Sequence, residues 1–454
     1  MRPPPGERAF RAAGATPAAG ELATTFATTD IGPALRLHFL PSEKPKTVVF
    51  GAYLRRDLDR PGAPEAAEAT RFALLHLLLR RGSRSHPTLR ALSRALEDLY
   101  GATLYTDVLK IGEAQVLNVG LEVANPKFLP GRSGVLEEAV ALLAGTLLDP
   151  ALDEATGRPF RAMDVEQEKK NLARTLAGLV HEKAAYACER CIAEMAPDEP
   201  FGLYEYGRAD DLATLAPEDL GETHRQAVDR LPLDLFAAGD VEPDVVHDLV
   251  AARFGGPRRG DYVPRPAVPH PSPRPARVVV EERRVEQARL VLAYRSPIRH
   301  ADERFPSLLF LNSLLGAFPH SRLFRVVRER EGLCYQASSL VEKAKGVIVI
   351  SLGIDVRHYE RARALVEAQV AALAGGDATG DEMEQTARAL ARLYTTIEDS
   401  PARKANALYA MRVSGRQGTL ADEIAALGAV TREDVAAAAQ GLWLDTVYLL
   451  RPRD

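Results

Sequence analysis

At 454 residues, with 46% hydrophobic and 26% charged residues and a formal net charge of -4, the chain has the composition of a soluble protein with more than one core. The near balance of charge excludes the basic surface that nucleic acid requires, and no apolar run reaches the length of a membrane span, so neither nucleic acid nor membrane is expected as a partner. The only cysteines are Cys188, Cys191 and Cys334, an odd number that argues against a disulfide framework and for a reducing, cytoplasmic setting. The first 25 residues lack the continuous apolar stretch of a signal peptide and read as an N-terminal extension, 1–25.

From residue 26 the chain alternates strand and helix patterns. ALRLHFL (34–40) and KTVVFGAYL (46–54) read as two strands across a turn containing Pro41 and Pro45. RFALLHLLLRRGS (71–83) follows as a helix. Its Phe72, Leu75 and His76 have the i, i+3, i+4 spacing at which an inverted zinc motif sets its residues on one helical face, yet only His76 carries a ligand atom. With Leu79 the same positions form a packing stripe, so His76 is expected to be partly buried and bonded to backbone. PTLRALSRALEDLY (87–100) is a second helix stopped by Gly101, and ATLYTDVLKI and QVLNVGLEV are two further strands. Helices near 134–148 and 163–195, the strand LDLFAAG and a helix ending at Phe254 complete the first half. Cys188 and Cys191 form a CxxC inside the 163–195 helical pattern without a second ligand pair, and read as packing residues rather than a redox or zinc motif.

Prolines at 257, 264, 266, 269, 271, 273 and 275 prevent both helix and central strand, which marks 255–277 as an extended, semi-rigid linker. Beyond it come strands RVVVEERR and ARLVLAYRSP, helices near 303–316 and 321–330, the hairpin YQASSLVEKAKGVIVISLGID, helices at 358–373, 380–396, 401–412 and 431–441, and a last strand TVYLLR. LEDLYGATLYTDV in the first half and FRVVREREGLCYQAS in the second occupy the same place in the same order, the pattern of a duplication. The expected fold is α+β: two homologous domains, 26–254 and 278–454, each a mainly antiparallel sheet with helices packed on it.

HSRLFRVVREREGLCYQASS (320–339) resembles the second-domain signature of the insulinase (pitrilysin) metallopeptidase family, most closely its processing-peptidase-like members, with SRLF, VRE and GLCY in the family's order and spacing. Active relatives carry His-x-x-Glu-His on a helix of the first domain and a further Glu on a later helix. Two imidazoles and a carboxylate then hold zinc with one open position, and the motif Glu takes a proton from the metal-bound water. Laid on this chain, the resemblance puts the first His at Phe72, the base at Leu75, the second His at His76, and the third ligand at Arg174 within VEQEKKNLARTL (165–176). HEKAAY at 181 and the pair His300 and Glu303 offer no replacement, since each lacks a closing His. No zinc or other cofactor is therefore expected in this chain.

The second domain keeps more. Active relatives use an Arg and a Tyr seven residues apart to hold substrate backbone and stabilise the tetrahedral oxyanion, and Arg328 and Tyr335 match that pair. The resemblance implies a non-catalytic subunit of a heterodimeric peptidase, supplying Arg328 and Tyr335 to a zinc-bearing partner that cleaves unfolded peptides or a short precursor. The alternative is a non-enzymatic peptide-binding or assembly protein of the same fold. A homodimer indifferent to zinc would point to that alternative.

Overall fold

The computed structural model of the protein describes residues 27–43, 45–129 and 131–453, so the N-terminal extension lies outside the described residues. The first half contains β1 (Ala27–Gly32), β2 (Leu35–Pro41), β3 (Thr47–Asp57), α1 (Ala67–Leu79), α2 (Leu89–Asp98), β4 (Thr103–Ile111), β5 (Ala114–Ala124), α3 (Val135–Leu148), α4 (Ala162–Gly178), α5 (Lys183–Met195), α6 (Pro217–Arg230), β6 (Leu233–Gly239) and α7 (Pro243–Phe254). The second contains β7 (Arg277–Arg283), β8 (Ala288–Arg295), α8 (Phe305–Asn312), β9 (Cys334–Glu342), β10 (Val347–Ile354), α9 (Tyr359–Ala374), α10 (Gly380–Glu398), α11 (Pro401–Val413), α12 (Leu420–Gly428), α13 (Arg432–Gln440) and β11 (Trp443–Pro452). Between α8 and β9 the helical hydrogen bonds widen to π geometry at Ser313–Ala317 and again at Leu323–Arg330, the π segment.

Two sheets result, in the orders β1-β2-β6-β3-β5-β4 and β7-β11-β8-β10-β9. Each has one parallel pair, β2 with β6 and β7 with β11, and is antiparallel elsewhere. The connectivity is the same in both halves apart from the extra edge strand β1, and the molecule is α+β with two like domains.

The central strands explain why helices cover both faces. β3 holds a run of seven consecutive buried residues and β10 is buried throughout, so neither alternates apolar and polar residues as a strand with one wet face does. One face of each sheet meets its own half's helices. The other face is covered by a helix from the opposite half. Ala187, Cys191, Ile192 and Met195 of α5 pack on Val291, Ala293, Val347, Val349, Tyr448 and Leu450 of the second sheet. In return, Ala405 and Tyr409 of α11 pack on Tyr53, Val116 and Phe236 of the first, where the Tyr53 hydroxyl donates to Asn406 Oδ1 at 2.6 Å. At roughly 1.5–3 kcal/mol for each large apolar side chain buried, this exchange binds the halves strongly.

The same exchange breaks the long helix expected over 163–195. α4 ends at Gly178, a 3-10 turn spans Leu179–His181, and α5 sets off toward the other sheet. A straight helix cannot serve two cores that lie on different sheets. β1 has no apolar alternation in its sequence, ATTDIG, because it is mostly exposed, as suits an edge strand. α12 is a further element absent from the sequence reading, although Thr419 and Asp422 form a capping box at its start. Residues 255–276 form neither helix nor strand.

Candidate functional site

α1 lies on the first sheet with Phe72, Leu75 and Leu79 in the core, among Leu54, Leu117 and Val119. Phe72 is 1% exposed and Leu75 0%. His76 is also buried, at 7%. Its Nδ1–H donates to the Ala73 carbonyl one turn back, and its own carbonyl accepts from Thr106 Oγ1 at 2.6 Å. The Tyr206 ring stands 5.8 Å from the imidazole, held by its hydroxyl's bond to Asp107 Oδ1 at 2.9 Å. Burial pushes the His76 pKa below its ordinary value, outweighing the Ala73 bond and the nearby Asp107 and Glu168 carboxylates. The imidazole is neutral at pH 7.

α4 packs against α1, but it turns Val165, Glu168 and Leu172 inward. Glu168 is already occupied, by an ion pair with Arg81 and by Asn171 Nδ2 at 2.8 Å. Arg174 lies on the exposed face, its guanidinium donating to Asn171 Oδ1 at 2.6 Å. Among the described residues no contact brings Arg174 to His76. One neutral imidazole beside two apolar side chains and a carboxylate neutralised by arginine does not fit zinc. No group of three metal-ligating side chains occurs among the described residues. The thiols offer no substitute: burial pushes Cys188 up to about 11 and Cys191 well above its ordinary value, and all three cysteines are unpaired.

The second half is arranged differently. The π segment ends in a turn whose Leu333 N–H donates to the Val327 carbonyl at 3.0 Å, with Gly332 at φ 62°, a conformation that glycine enters without strain. This turn sets Arg328 and Tyr335 on either side of the entry to β9, an edge strand hydrogen-bonded only to β10. Tyr335 is 78% exposed. The exposed Arg328 guanidinium lies 4.3 Å from the Phe324 ring centroid and has no carboxylate within ion-pair distance among the described residues. It is close enough to the neighbouring buried Cys334 to offset part of the burial that pushes that thiol up to about 11. Neither Arg328 nor Tyr335 touches the His76 group.

Glu168, Asp107, Thr106 and Tyr206 were missed in the sequence. The spacing Val165, Glu168, Leu172 does place Glu168 on an apolar stripe, which is the one available signal. The contacts of Tyr206 with Asp107 on β4 and His76 on α1 bridge about 100 and 130 positions, and no local pattern reports them.

Residues 214–390 match the family pattern described as peptidase M16 inactive domain. The chain is 31% identical over 419 residues to a probable inactive metalloprotease, YmfF, of Bacillus subtilis, covering 92% of this chain and 96% of the relative. It is 25% identical over 307 residues to an uncharacterized zinc protease of Streptomyces coelicolor, covering 64% of this chain and 65% of that protein. Among solved structures, a conserved protein from Enterococcus faecalis superposes with a TM-score of 0.85 at 26% identity, over 95% of this chain and 99% of that one. A peptidase M16 inactive domain from Pseudomonas fluorescens shares the fold at a TM-score of 0.75 and 18% identity, over 94% and 98% of the two chains.

Proposed function

The chain belongs to the M16 metallopeptidase family, among its inactive, metalloprotease-like members, and from that premise we propose that it is the zinc-lacking subunit of a heterodimeric peptidase. The partner contributes the metal, its ligands and the general base. This chain contributes Arg328 and Tyr335, which hold the peptide backbone and stabilise the oxyanion of the tetrahedral intermediate. The substrate is an unfolded peptide or short precursor, because a cleavage site enclosed between two chains excludes folded proteins. The pair works in the cytoplasm, in keeping with three free cysteines. No helix among the described residues is long and apolar enough to cross a membrane.

The observation that carries this reading is an asymmetry. The His76 face is closed into core, while Arg328 and Tyr335 stand exposed at an open sheet edge without an ion-pair partner to occupy the arginine. A cation and a phenol left free at a strand edge suit a passing peptide rather than internal packing. The test is to purify the chain with a partner that carries an intact His-x-x-Glu-His and to measure peptide hydrolysis with and without Arg328→Ala. A loss of turnover with unchanged assembly supports the role. Full activity in the variant complex removes it and leaves the peptide-binding or assembly protein as the better reading, as does a homodimer that ignores added zinc.

A further inference from the structure

The β4–β5 turn, the β9–β10 turn and the proline-rich segment meet where the two sheets approach each other. Gly112 in the first turn donates its N–H to Glu342 Oε1 at 2.9 Å, and a Cβ built on Gly112 would lie 2.9 Å from that of Ala344. Beside it Lys345, fully buried, donates to Glu113 at 2.6 Å and to the Val268 carbonyl at 2.7 Å, and pairs with Glu199 at 2.7 Å. Val268 N–H donates to Glu113 Oε2 at 2.8 Å. Arg295, also fully buried, pairs with Glu199 at 2.7 Å and Asp445 at 2.8 Å, and donates to the Met195 carbonyl at 2.9 Å and to His270 Nδ1 at 2.8 Å. First half, second half and the segment between them thus share one network of two cations, Lys345 and Arg295, and four carboxylates, Glu113, Glu199, Glu342 and Asp445.

The proline-rich segment is fastened along its length. Arg259 pairs with Asp229 at 2.6 Å, the Tyr262 hydroxyl donates to Asp57 at 3.0 Å, and Arg265 N–H donates to Asp57 at 2.6 Å. It acts as a strap tied to the first half, with Val268 and His270 at its middle held by Lys345 and Arg295 of the second. A network of this kind does not loosen by degrees, because parting one pair leaves a charge buried without its counterion. Two edge strands, β4 and β9, run into the junction, ending at Ile111 and Glu342. The angle there governs how far apart their other ends stand, one of which carries Tyr335.

We propose that this junction is a latch that fixes the angle between the two halves, with Lys345 and Gly112 as positioning residues. The separation of the free edges of β4 and β9 is then fixed. Resting on the reading under Proposed function, peptide enters when this chain and its partner separate, and not by opening within the chain.

The test measures the distance between spin labels on Ser93→Cys and Arg392→Cys, exposed positions in the two halves, with the native cysteines replaced by alanine. One narrow distribution is expected, and a broad or multiple one overturns the latch. Gly112→Ala acts as a wedge and should widen or shift the distribution by several ångström. Gly157→Ala, at φ 67° with nothing within 4 Å of its built Cβ, imposes similar backbone strain without a wedge and should leave it unchanged. Glu113→Gln should broaden the distribution without a wedge. If Gly112→Ala and Glu113→Gln both keep the parent width, the latch is wrong whatever happens to hydrolysis. If they widen it while hydrolysis in the complex is unchanged, the latch stands and the fixed edge separation has no part in handling peptide.

Discussion

α1 with its single histidine and the π segment with its arginine each precede the edge strand of their half, α1 with α2 between it and β4 and the π segment directly before β9, and they have opposite characters. In the first, Phe72 and Leu75 stand where the resemblance puts ligand and base, and the helix face is part of the core. In the second, the helix is wound wide, its last turn is polar, and Tyr335 and Arg328 face solvent. The lesson concerns reversibility. A face that has joined a core is maintained by packing and resists return to polar chemistry, whereas an exposed edge can bind without altering stability.

The sharpest way to break the comparison is to rebuild the lost motif. Phe72→His together with Leu75→Glu should lower stability by about 3–5 kcal/mol, since it buries polar and charged groups without partners. Urea unfolding measures the loss, and elemental analysis should find no bound zinc. A stable double variant with one equivalent of zinc would show that α1 is still an open metal face.

Next in size is the effect of the exposed pair. In the proposed two-chain enzyme, Arg328→Ala should reduce turnover by about 100-fold, the scale of removing one oxyanion donor, while changing the unfolding free energy by no more than about 0.5 kcal/mol. Steady-state kinetics beside denaturation separates the two; a stability loss with intact turnover inverts the assignment.

A smaller effect follows pH. His76, His224, His270 and His300 all have pKa values lowered first by burial, His270 to about 4 and His300 to about 3. The unfolded chain takes up protons near the ordinary pKa of about 6.5 while the folded chain does not. Stability should be full above that pH and fall as pH drops from there toward 4. His76→Leu should flatten its share of the slope. An unfolding midpoint independent of pH across that window would contradict the buried, neutral imidazoles.

The smallest expected effect is that of Arg174→Ala. Among the described residues its guanidinium bonds only to Lys170 and Asn171 of its own helix, so the change should stay within about 0.5 kcal/mol and leave His76 undisturbed. A larger loss by calorimetry would mean that α4 engages α1 through Arg174 after all.

Much of this was legible in local pattern. The helical stripe through Phe72, Leu75 and His76, the strands flanking it, and the run SRLF to GLCY all depend on neighbours within about ten residues, where periodicity and turn chemistry act. Other parts were not. That Glu168 faces α1 and Arg174 does not depends on how α4 is rotated against a helix some ninety residues earlier. That 163–195 is two helices depends on where the second finds its core.

The sequence by itself determined the α+β alternation, the duplication, the absence of a second imidazole beside His76, and the presence of Arg328 and Tyr335 at a helix-to-strand turn. Tertiary structure alone decided that α5 and α11 are exchanged between the sheets and that Lys345 and Arg295 lie at 0% exposure among carboxylates from remote segments. The reason is physical. Periodicity states that a face must be buried, but an apolar face carries no address, and only the packed chain determines which surface covers it.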